Sequence, residues 1–569
     1  MLCFTRVAVR EITRRLKELI RDHQVHDDLR FVSVRTFDSF ATRILLAAQI
    51  DKDLSGFSYD PRIELAIETL EDPESEASQI VAGYRHLIVD EIQDLVGVRA
   101  RLVQALLKRI SGGFTLLGDP AQAIYGFSVT EKAKTLNAQT LLEWVQKQQW
   151  TQSLLQRQLT ENHRFQGATT RMAASLRTHI LQGNKDESQT LEQLRHFVTM
   201  LGSAGSGKQP ASNLTAGSDN SICILCRSNG EVLQLASLFA MNHIPFVMRP
   251  RPEDSGLPAW IGRVLGTHAD SRISWREFED RWNHLVARPG EPNAEQAWEY
   301  LRRVECAGRV DLDLNLLHRN LSKGAVLPDD IDAFLQEDTG CLAVSTIHAM
   351  KGREFDRVVI LQPDTSQDRS SKIDTLEEAR VLYVAATRAR RELDRLDRGG
   401  LPVMWKEDCP NGRSRWIART HTGYYFVEIG LGGDIDGQSS VSTYIFPSQE
   451  AALVSQDVLW NQVKPGIPIK IYEVRRGKYV FFRVALEQNG KKVDLGQMSL
   501  TFKQDISHLL MTRTRNRYFP YPKYFDSIQV VAVVTEVLPA FPENTHGPFS
   551  SSRFCIGLRV RGMGYLYKE

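Results

Sequence analysis

Apolar residues in the first 120 positions occur in short runs, each followed by a polar turn and then by a stretch with helical periodicity. Such an alternation of strands and helices is typical of an α/β domain built on a parallel sheet. The pattern predicts strands at residues 2–4, 31–34, 86–89 and 114–117, with helices that include residues 7–21 and 99–110. Because functional side chains in open α/β sheets follow the carboxyl ends of strands, we expect the chemistry in the turns after these runs.

A second α/β unit follows, with strands predicted at residues 221–226, 245–248 and 358–361 and a helix at 231–242. Residues 249–337 are charged and helical in pattern and are predicted to be an insertion within this unit. Residues 183–220 are rich in Gly, Ser, Asn and Gln, which predicts a mobile loop.

The pattern changes after Gly399 and Gly400, where β-branched and aromatic runs are separated by Gly, Asn and Pro. Strands are predicted at residues 424–429, 467–473, 479–488 and 528–535, in a small barrel or sandwich. We therefore predict three parts, at residues 1–150, 151–398 and 399–569.

Length and composition add modest constraints. A chain of 569 residues is too long for one core and predicts three or four domains. Its 71 Lys and Arg nearly balance its 69 Asp and Glu, so net charge does not indicate a nucleic-acid partner. Seven unpatterned cysteines and the lack of an apolar run of about 18 residues predict a reduced, cytoplasmic protein that does not enter a membrane. Cys223 and Cys226 lie in an apolar run, which favours a buried strand over a zinc or redox site.

The run at residues 86–89 ends in Asp90 and Glu91, with Gln93 and Asp94 close behind. In a nucleotide-hydrolysing site the first carboxylate holds Mg²⁺ and the second orients the attacking water. An acidic strand-to-helix turn without a ligand explains the pattern equally well.

The run at residues 114–117 is followed by a loop that contains Asp119, Gln122, Tyr125 and Phe127. A glutamine both donates and accepts hydrogen bonds, so it can contact a phosphate and a water together. An aromatic ring in a loop offers a face on which a base can stack. The alternative is a Gly- and Pro-containing turn with buried rings.

Together these segments resemble motifs II and III of the UvrD/Rep-type superfamily 1 DNA helicases. Five further segments are similar to the family's other motifs and follow in its order. They are residues 2–12 (motif Ia), 34–41 (usually Thr-Phe-His-Ser-Phe, with Asp38 in place of His), 159–165 (motif IV), 344–355 (motif V) and 377–390 (motif VI).

The resemblance implies an α/β fold of two RecA-like P-loop NTPase lobes and an ATP-dependent helicase or translocase that moves 3′-to-5′ on single-stranded or partly duplex DNA, with ATP and Mg²⁺ as cofactors. It implies catalytic roles for Glu91, Gln122, Arg164 and Arg388, and Mg²⁺ binding by Asp90 and Glu91. Nucleotide contacts are implied for Asp90, Gln122, Arg164, Gly352, Glu354 and Arg388. DNA contacts are implied for Phe4, Thr5, Thr36, Phe37, Tyr125, Phe127, Thr346 and His348, whereas Lys351 is assigned only an electrostatic role.

Accessory insertions are short in this sequence. Residues 46–83 leave space for a few helices in the first lobe, and the insertion at about 249–337 is modest. Unwinding is therefore expected to depend on the C-terminal part or on a partner. Arginines alternate with aromatic residues at 513–524, which indicates either a surface for single-stranded DNA or a Pro-rich loop whose rings pack on the sheet.

The family's phosphate loop, a Gly-rich segment ending in Gly-Lys-Thr or Gly-Lys-Ser, would precede motif Ia, yet motif Ia begins at residue 2. Residues 202–208 fit the spacing of such a loop, but Gln209 replaces the hydroxyl residue and no helix pattern follows, so we predict a flexible loop there. Three explanations stay open: a truncated chain, a partner that supplies the lysine, or a non-catalytic DNA-binding or regulatory relative. Each would leave apolar faces and backbone groups of the first sheet uncovered.

Overall fold

The structure is a computed structural model with side chains. It describes residues 1–21, 27–48, 59–124, 137–150, 153–159, 167–182, 186–210, 214, 221–249, 254, 256–305, 310–322, 342–364, 374–399, 401–488, 490–513 and 520–568. Among the helices in these ranges, none is long and apolar enough to cross a lipid bilayer.

Four parallel strands form the sheet of the first lobe in the order β2–β1–β3–β4, as the α/β pattern predicted. The strands are β1 (Leu2–Cys3), β2 (Arg35–Thr36), β3 (His86–Val89) and β4 (Gly113–Leu116). The helices are α1 (Arg6–Arg21), α2 (Phe37–Ala47), α3 (Tyr59–Glu71), α4 (Glu76–Ala82), α5 (Val98–Arg109) and α6 (Ala138–Lys147).

The centre of this sheet is β3, whose apolar residues Leu87 and Val89 are buried. It lies between β1 and β4, so its carboxyl end opens onto the same sheet edge as theirs. Helices α3 and α4, which occupy the short first insertion, contribute Ile63 and Val81 to the core of the lobe. Next to β4, the last strand of the sheet, the side chain of Leu117 is 38% exposed.

The predicted strand at residues 31–34 is wrong. A 3-10 helix occupies Asp27–Phe31, and β2 begins only at Arg35. The physical reason is burial: Phe31 is 86% and Val32 37% exposed, whereas Val34 alone of this apolar run is buried. A run that does not face the core gains little from joining the sheet.

The second lobe has six parallel strands in the order β5–β13–β12–β6–β11–β7. Strands from Gly202 to Asp397 are β5 (Gly202–Ser206), β6 (Ile222–Cys226), β7 (Val247–Met248), β8 (Leu257–Pro258), β9 (Arg272–Ile273), β10 (Leu312–Asp313), β11 (Leu342–Thr346), β12 (Phe355–Leu361) and β13 (Ala389–Asp397). Helices are α7 (Ala168–Gln182), α8 (Glu187–Met200), α9 (Asn229–Met241), α10 (Ala259–Leu265), α11 (Trp275–Leu285), α12 (Ala294–Glu305), α13 (Leu314–Ser322) and α14 (Thr375–Ala386).

Cys223 and Cys226 lie in β6, the buried strand that the apolar run predicted. Burial raises the pKa of the Cys223 thiol to about 12 and holds the pKa of Cys226 well above its usual value. Both thiols are therefore protonated core residues.

The predicted mobile loop at residues 183–220 is wrong over its described part. Helix α8 begins where the Asp186 side chain accepts a hydrogen bond from the Gln189 amide at 3.0 Å, and it buries Leu194 and Phe197 in the lobe. The phosphate-loop-like string then forms β5, which pairs with β13 at Gly202 and Asp394. Small residues suit this position because an edge strand needs only backbone pairing on one side.

The C-terminal part is a ten-stranded antiparallel sheet in the order β14–β15–β16–β22–β21–β18–β19–β20–β17, with β8 joined to β21. Its strands are β14 (Val403–Asp408), β15 (Ser414–Arg419), β16 (Tyr424–Ile429), β17 (Ile435–Asp436), β18 (Pro468–Arg476), β19 (Tyr479–Gln488), β20 (Lys491–Met498), β21 (Tyr524–Val537) and β22 (Phe554–Lys568). Its helices are α15 (Gln449–Asn461), α16 (Leu500–Arg513) and α17 (Gly547–Ser552).

The helical insertion shares its core with this sheet. Trp260 and Phe278 of the insertion belong to the same cluster of buried side chains as Val427, Phe482 and Ile528 of the sheet. Helices α10 to α13 and the C-terminal sheet therefore form one packed unit, although their segments are separated in sequence by the end of the second lobe.

Candidate active site

Two carboxylates lie directly after β3. The Asp90 amide donates to the carbonyl of Leu2 at 2.9 Å, which continues the pairing with β1. Glu91 then adopts a left-handed backbone with φ of 56°, and its amide donates to Asp90 Oδ1 at 3.0 Å. Burial, together with the adjacent Glu91 carboxylate, raises the pKa of Asp90. A strained residue at the end of a central strand fixes two acids at the sheet edge.

Gln93 ties this turn to the loop after β4. Its Nε2 donates to the Glu91 carboxylate, and its Oε1 accepts from the Asp119 amide at 3.0 Å. Gly118 makes the close approach possible, because a Cβ there would lie 2.5 Å from Gln93 Oε1. The two loops that the motifs predicted as functional therefore form one hydrogen-bonded unit.

Gln122 projects from the second of these loops and meets a residue of the second lobe. Its Nε2 donates to Asp119 Oδ2 at 3.2 Å, and its Oε1 accepts from an Nη atom of Arg388 at 3.2 Å. Arg388 follows helix α14 and is only 2% exposed. Its Nε also donates to the carbonyl of Val384 at 3.1 Å, which fixes the direction of the guanidinium.

A buried ion pair joins the same two lobes. Lys351 Nζ lies 2.7 Å from Asp94 Oδ1, and the two residues are 3% and 1% exposed. Lys351 also donates to the carbonyl of Gln122. Burial raises the pKa of the Asp94 carboxyl to about 7, against the attraction of Lys351. The lysine is therefore a structural bridge between the lobes, which is more than the electrostatic role predicted for it.

Two further residues of the site were missed by sequence reasoning. Arg177 of α7 donates from Nε to Asp119 Oδ1 at 2.9 Å, and Arg380 of α14 lines the same cleft, where burial lowers its pKa. Arg177 stands outside the recognisable motifs. Arg380 stands within one, and its helical spacing from Arg388 was the available signal.

These residues line a cleft of about 2980 Å³ between the lobes. Asp90, Gln93 and Gln122 contribute from the first lobe, and Glu354 and Thr387 from the second. The cleft thus has carboxylates on one wall and arginines on the other, an arrangement suited to an anionic ligand with a divalent cation.

Comparison with protein families agrees with this geometry. Residues 47–142 match the model of the UvrD/REP helicase N-terminal domain, and residues 342–393 match that of the UvrD-like helicase C-terminal domain. The chain belongs to the UvrD/Rep helicase family. No curated protein matches the chain. The predicted family is confirmed, as is the predicted fold class of two α/β lobes with a β-rich C-terminal part.

Within this UvrD/Rep-type chain, the predicted nucleotide contacts Gly352 and Glu354 lie at the turn before β12. Gly352 has φ of 81°, and a Cβ there would lie 3.4 Å from the Thr5 hydroxyl of the first lobe. The Glu354 carboxylate accepts from Arg390 Nε at 3.1 Å, and both side chains line the cleft.

The predicted DNA contacts of the first lobe have local structural roles. The hydroxyls of Thr5 and Thr36 each accept a backbone amide at 3.2 Å, from Ala8 and Ser39, at the starts of α1 and α2. Phe37 is only 1% exposed, packed edge-on against Phe4 with ring centroids 6.2 Å apart. The burial of Phe37 does not fit a direct DNA contact, so we assign this ring to the core.

Asp38, which replaces the family's usual histidine, pairs with Arg99 at 3.1 Å. In the second lobe, the Thr346 hydroxyl accepts the amide of Ala349 at 3.3 Å. Burial, and then the nearby Arg227, lower the pKa of His348 to about 4, so this predicted DNA contact is a neutral imidazole. Tyr125, Phe127 and Arg164 lie outside the described residues.

Proposed function

We propose that this chain is an ATP-dependent DNA translocase or helicase that moves 3′-to-5′ on single-stranded DNA. The observation that carries the proposal is the contact between Gln122 and Arg388 across the cleft. A guanidinium held against a glutamine from the opposite lobe is positioned to stabilise charge that develops on a transferred phosphate. The family of the chain supports the same reading.

The residues of the cleft fit ATP and Mg²⁺. Asp90 and Glu91 offer the oxygen ligands that Mg²⁺ prefers, and the raised pKa of Asp90 reflects a carboxylate that a cation would stabilise. Gln122, Arg388 and the predicted Arg164 would surround the terminal phosphate, while Gly352 and Glu354 would lie near the sugar. When bound, ATP supplies the bond to be hydrolysed and Mg²⁺ neutralises part of its charge.

Movement on DNA would come from opening and closing of this cleft. Thr346 and His348 lie on the segment that also carries Lys351 and Gly352, so a change at the nucleotide reaches the proposed DNA contacts through one short loop. Thr5 lies beside Gly352 on the opposite lobe. Coupling a lobe movement to ligand binding is the usual basis of such stepping.

The experiment measures phosphate release with and without single-stranded DNA, for the chain alone and for the chain extended by the codons upstream of Met1. We expect DNA-stimulated release in one of these forms. Displacement of streptavidin from the 5′ end of a biotinylated oligonucleotide then reports 3′-to-5′ movement, and displacement from the 3′ end alone would contradict the polarity. No release from either form would overturn the motor and favour a non-catalytic DNA-binding or regulatory protein.

A further inference from the structure

Strands β18 and β19 have one buried and one solvent-facing side. Ile471, Phe482 and Val484 point into the core, whereas the alternating residues Tyr472 and Arg483 are partly exposed. Successive side chains of a strand point to opposite faces, so the second set shares one surface. This side of the sheet is uncovered, since Tyr479 and Tyr524 are 58% and 50% exposed.

We define the outer sheet face by six residues that the pairing places together: Lys470, Tyr472, Tyr479, Arg483, Lys492 and Tyr524. Tyr472 pairs with Arg483 of β19 and with Tyr524 of β21, which puts these three side chains in one row across the sheet. Lys492 Nζ lies 3.6 Å from the ring centroid of Tyr472, and Lys470 Nζ lies 5.3 Å from that of Tyr524. Rings and cations therefore alternate on one surface.

The region of this face is strongly basic. Residues 468–498 contain seven lysines and arginines against three acidic residues, whereas the whole chain has 71 against 69. Glu487 pairs with Lys470 at 3.0 Å and Asp494 pairs with Arg483 at 2.6 Å, while Arg475 holds Glu473 at the strand end. Even with these pairs counted, cations are in excess, so the face attracts a polyanion.

The central ring is held rigidly. Tyr472 donates its hydroxyl to Asp494 Oδ1 at 2.5 Å, and the same carboxylate accepts from Arg483. A ring that is already fixed in place loses little side-chain entropy when a ligand stacks on it. Tyr521, which the sequence pattern had included among candidate DNA contacts, instead packs on Phe482 in the core, with ring centroids 5.7 Å apart.

We infer that the outer sheet face binds single-stranded DNA, with bases stacked on Tyr479 and Tyr524 and phosphates held by Lys470 and Lys492. Single strands fit better than duplex because exposed rings need exposed bases, which a duplex keeps inside its stack. The inference takes DNA as the partner from the proposed function but does not depend on ATP hydrolysis. It gives the C-terminal sheet a role as a second grip on the strand outside the motor cleft.

The test is fluorescence anisotropy of a labelled thymidine oligonucleotide without nucleotide, with a duplex of equal length as comparison. Tyr479→Ala combined with Tyr524→Ala is expected to weaken single-strand binding by at least about fivefold. Tyr479→Phe with Tyr524→Phe, which keeps both rings, should bind as the unchanged protein does. Lys470→Gln with Lys492→Gln should lower the salt slope of log K by about 0.7 for each phosphate that the protein no longer neutralises. Arg276→Gln, at an exposed arginine of α11, is the charge control.

Photocrosslinking with 5-iodouracil in the same oligonucleotide locates the contact directly, with crosslinked peptides expected to contain Tyr479 or Tyr524. Unchanged affinity of the alanine pair, or crosslinks confined to the two lobes, would overturn the inference even if DNA-stimulated hydrolysis is present. Conversely, failure of hydrolysis with intact crosslinking at these tyrosines would overturn only the motor proposal.

Discussion

Lys351 Nζ of the second lobe lies 2.7 Å from Asp94 Oδ1 of the first, although the two residues are 257 positions apart in sequence. Both side chains are almost fully buried, so this contact joins the two walls of the cleft in a water-poor setting. A buried pair of this kind adds little net stability as a pair, but losing one partner leaves an uncompensated buried charge.

Lys351→Met is therefore expected to lower the free energy of unfolding by about 3–5 kcal/mol. The double variant with Asp94→Leu should recover most of this loss, because it leaves no charge behind. Urea denaturation followed by tryptophan fluorescence measures both. Lys17→Met, at an exposed lysine of α1, should stay within about 0.5 kcal/mol of the unchanged protein. A Lys351→Met protein as stable as that control would show that the pair does not join the lobes.

His348 makes stability depend on pH. Its pKa of about 4 in the fold is below the ordinary value of 6.5, so the unfolded chain takes up the proton first as pH falls. The stabilising contribution is thus complete above pH about 6.5 and is lost progressively between about 6.5 and 4. Between pH 7 and pH 5 the loss should be about 2 kcal/mol, and His348→Gln should remove it.

Denaturation of both proteins at the two pH values tests this directly. Other histidines titrate in both proteins, so the difference between them isolates position 348. An identical pH dependence of the two would mean that the imidazole is not excluded from water by the loop and by Arg227.

Gly118 allows the two loops of the site to touch. Gly118→Ala would place a Cβ 2.5 Å from Gln93 Oε1 and 2.6 Å from Ile92 Cγ1, so Gln93 must leave Glu91 or the loop must shift. We expect a loss of about 1–3 kcal/mol in unfolding free energy. Gly547→Ala is the matched control, since nothing lies within 4 Å of a Cβ there. Equal stability of the two variants would contradict the close approach of the loops.

Sequence reasoning found the parts of the site that local pattern determines. The run before Asp90 is short, apolar and ended by acids, and β3 forms there at Leu87 to Val89 as predicted. The strands β16 and β19 likewise follow β-branched and aromatic runs over the predicted bounds. In each case the side chains that favour a strand are also those that the core buries.

Contacts between distant segments could not be predicted in this way. The pattern of residues 183–220 is polar and Gly-rich, yet α8 buries Leu194 and β5 pairs with β13, because partners elsewhere in the lobe supply the burial and the hydrogen bonds. The shared core of the insertion and the C-terminal sheet, and the pairing of Lys351 with Asp94, have the same origin. A side chain's partner across the fold leaves no periodicity in its own segment.

The contact between Gln122 and Arg388 is central to the proposed motor, and a double-mutant cycle of DNA-stimulated ATP hydrolysis tests it most directly. Arg388→Ala should lower kcat by about a thousandfold or more, in the range found for arginines that stabilise a transferred phosphate. Gln122→Ala should also lower kcat, and the double variant should be close to Arg388→Ala alone because the two residues act as one unit. Hydrolysis that survives Arg388→Ala, or effects that multiply in the double variant, would contradict a site built on this pair of residues.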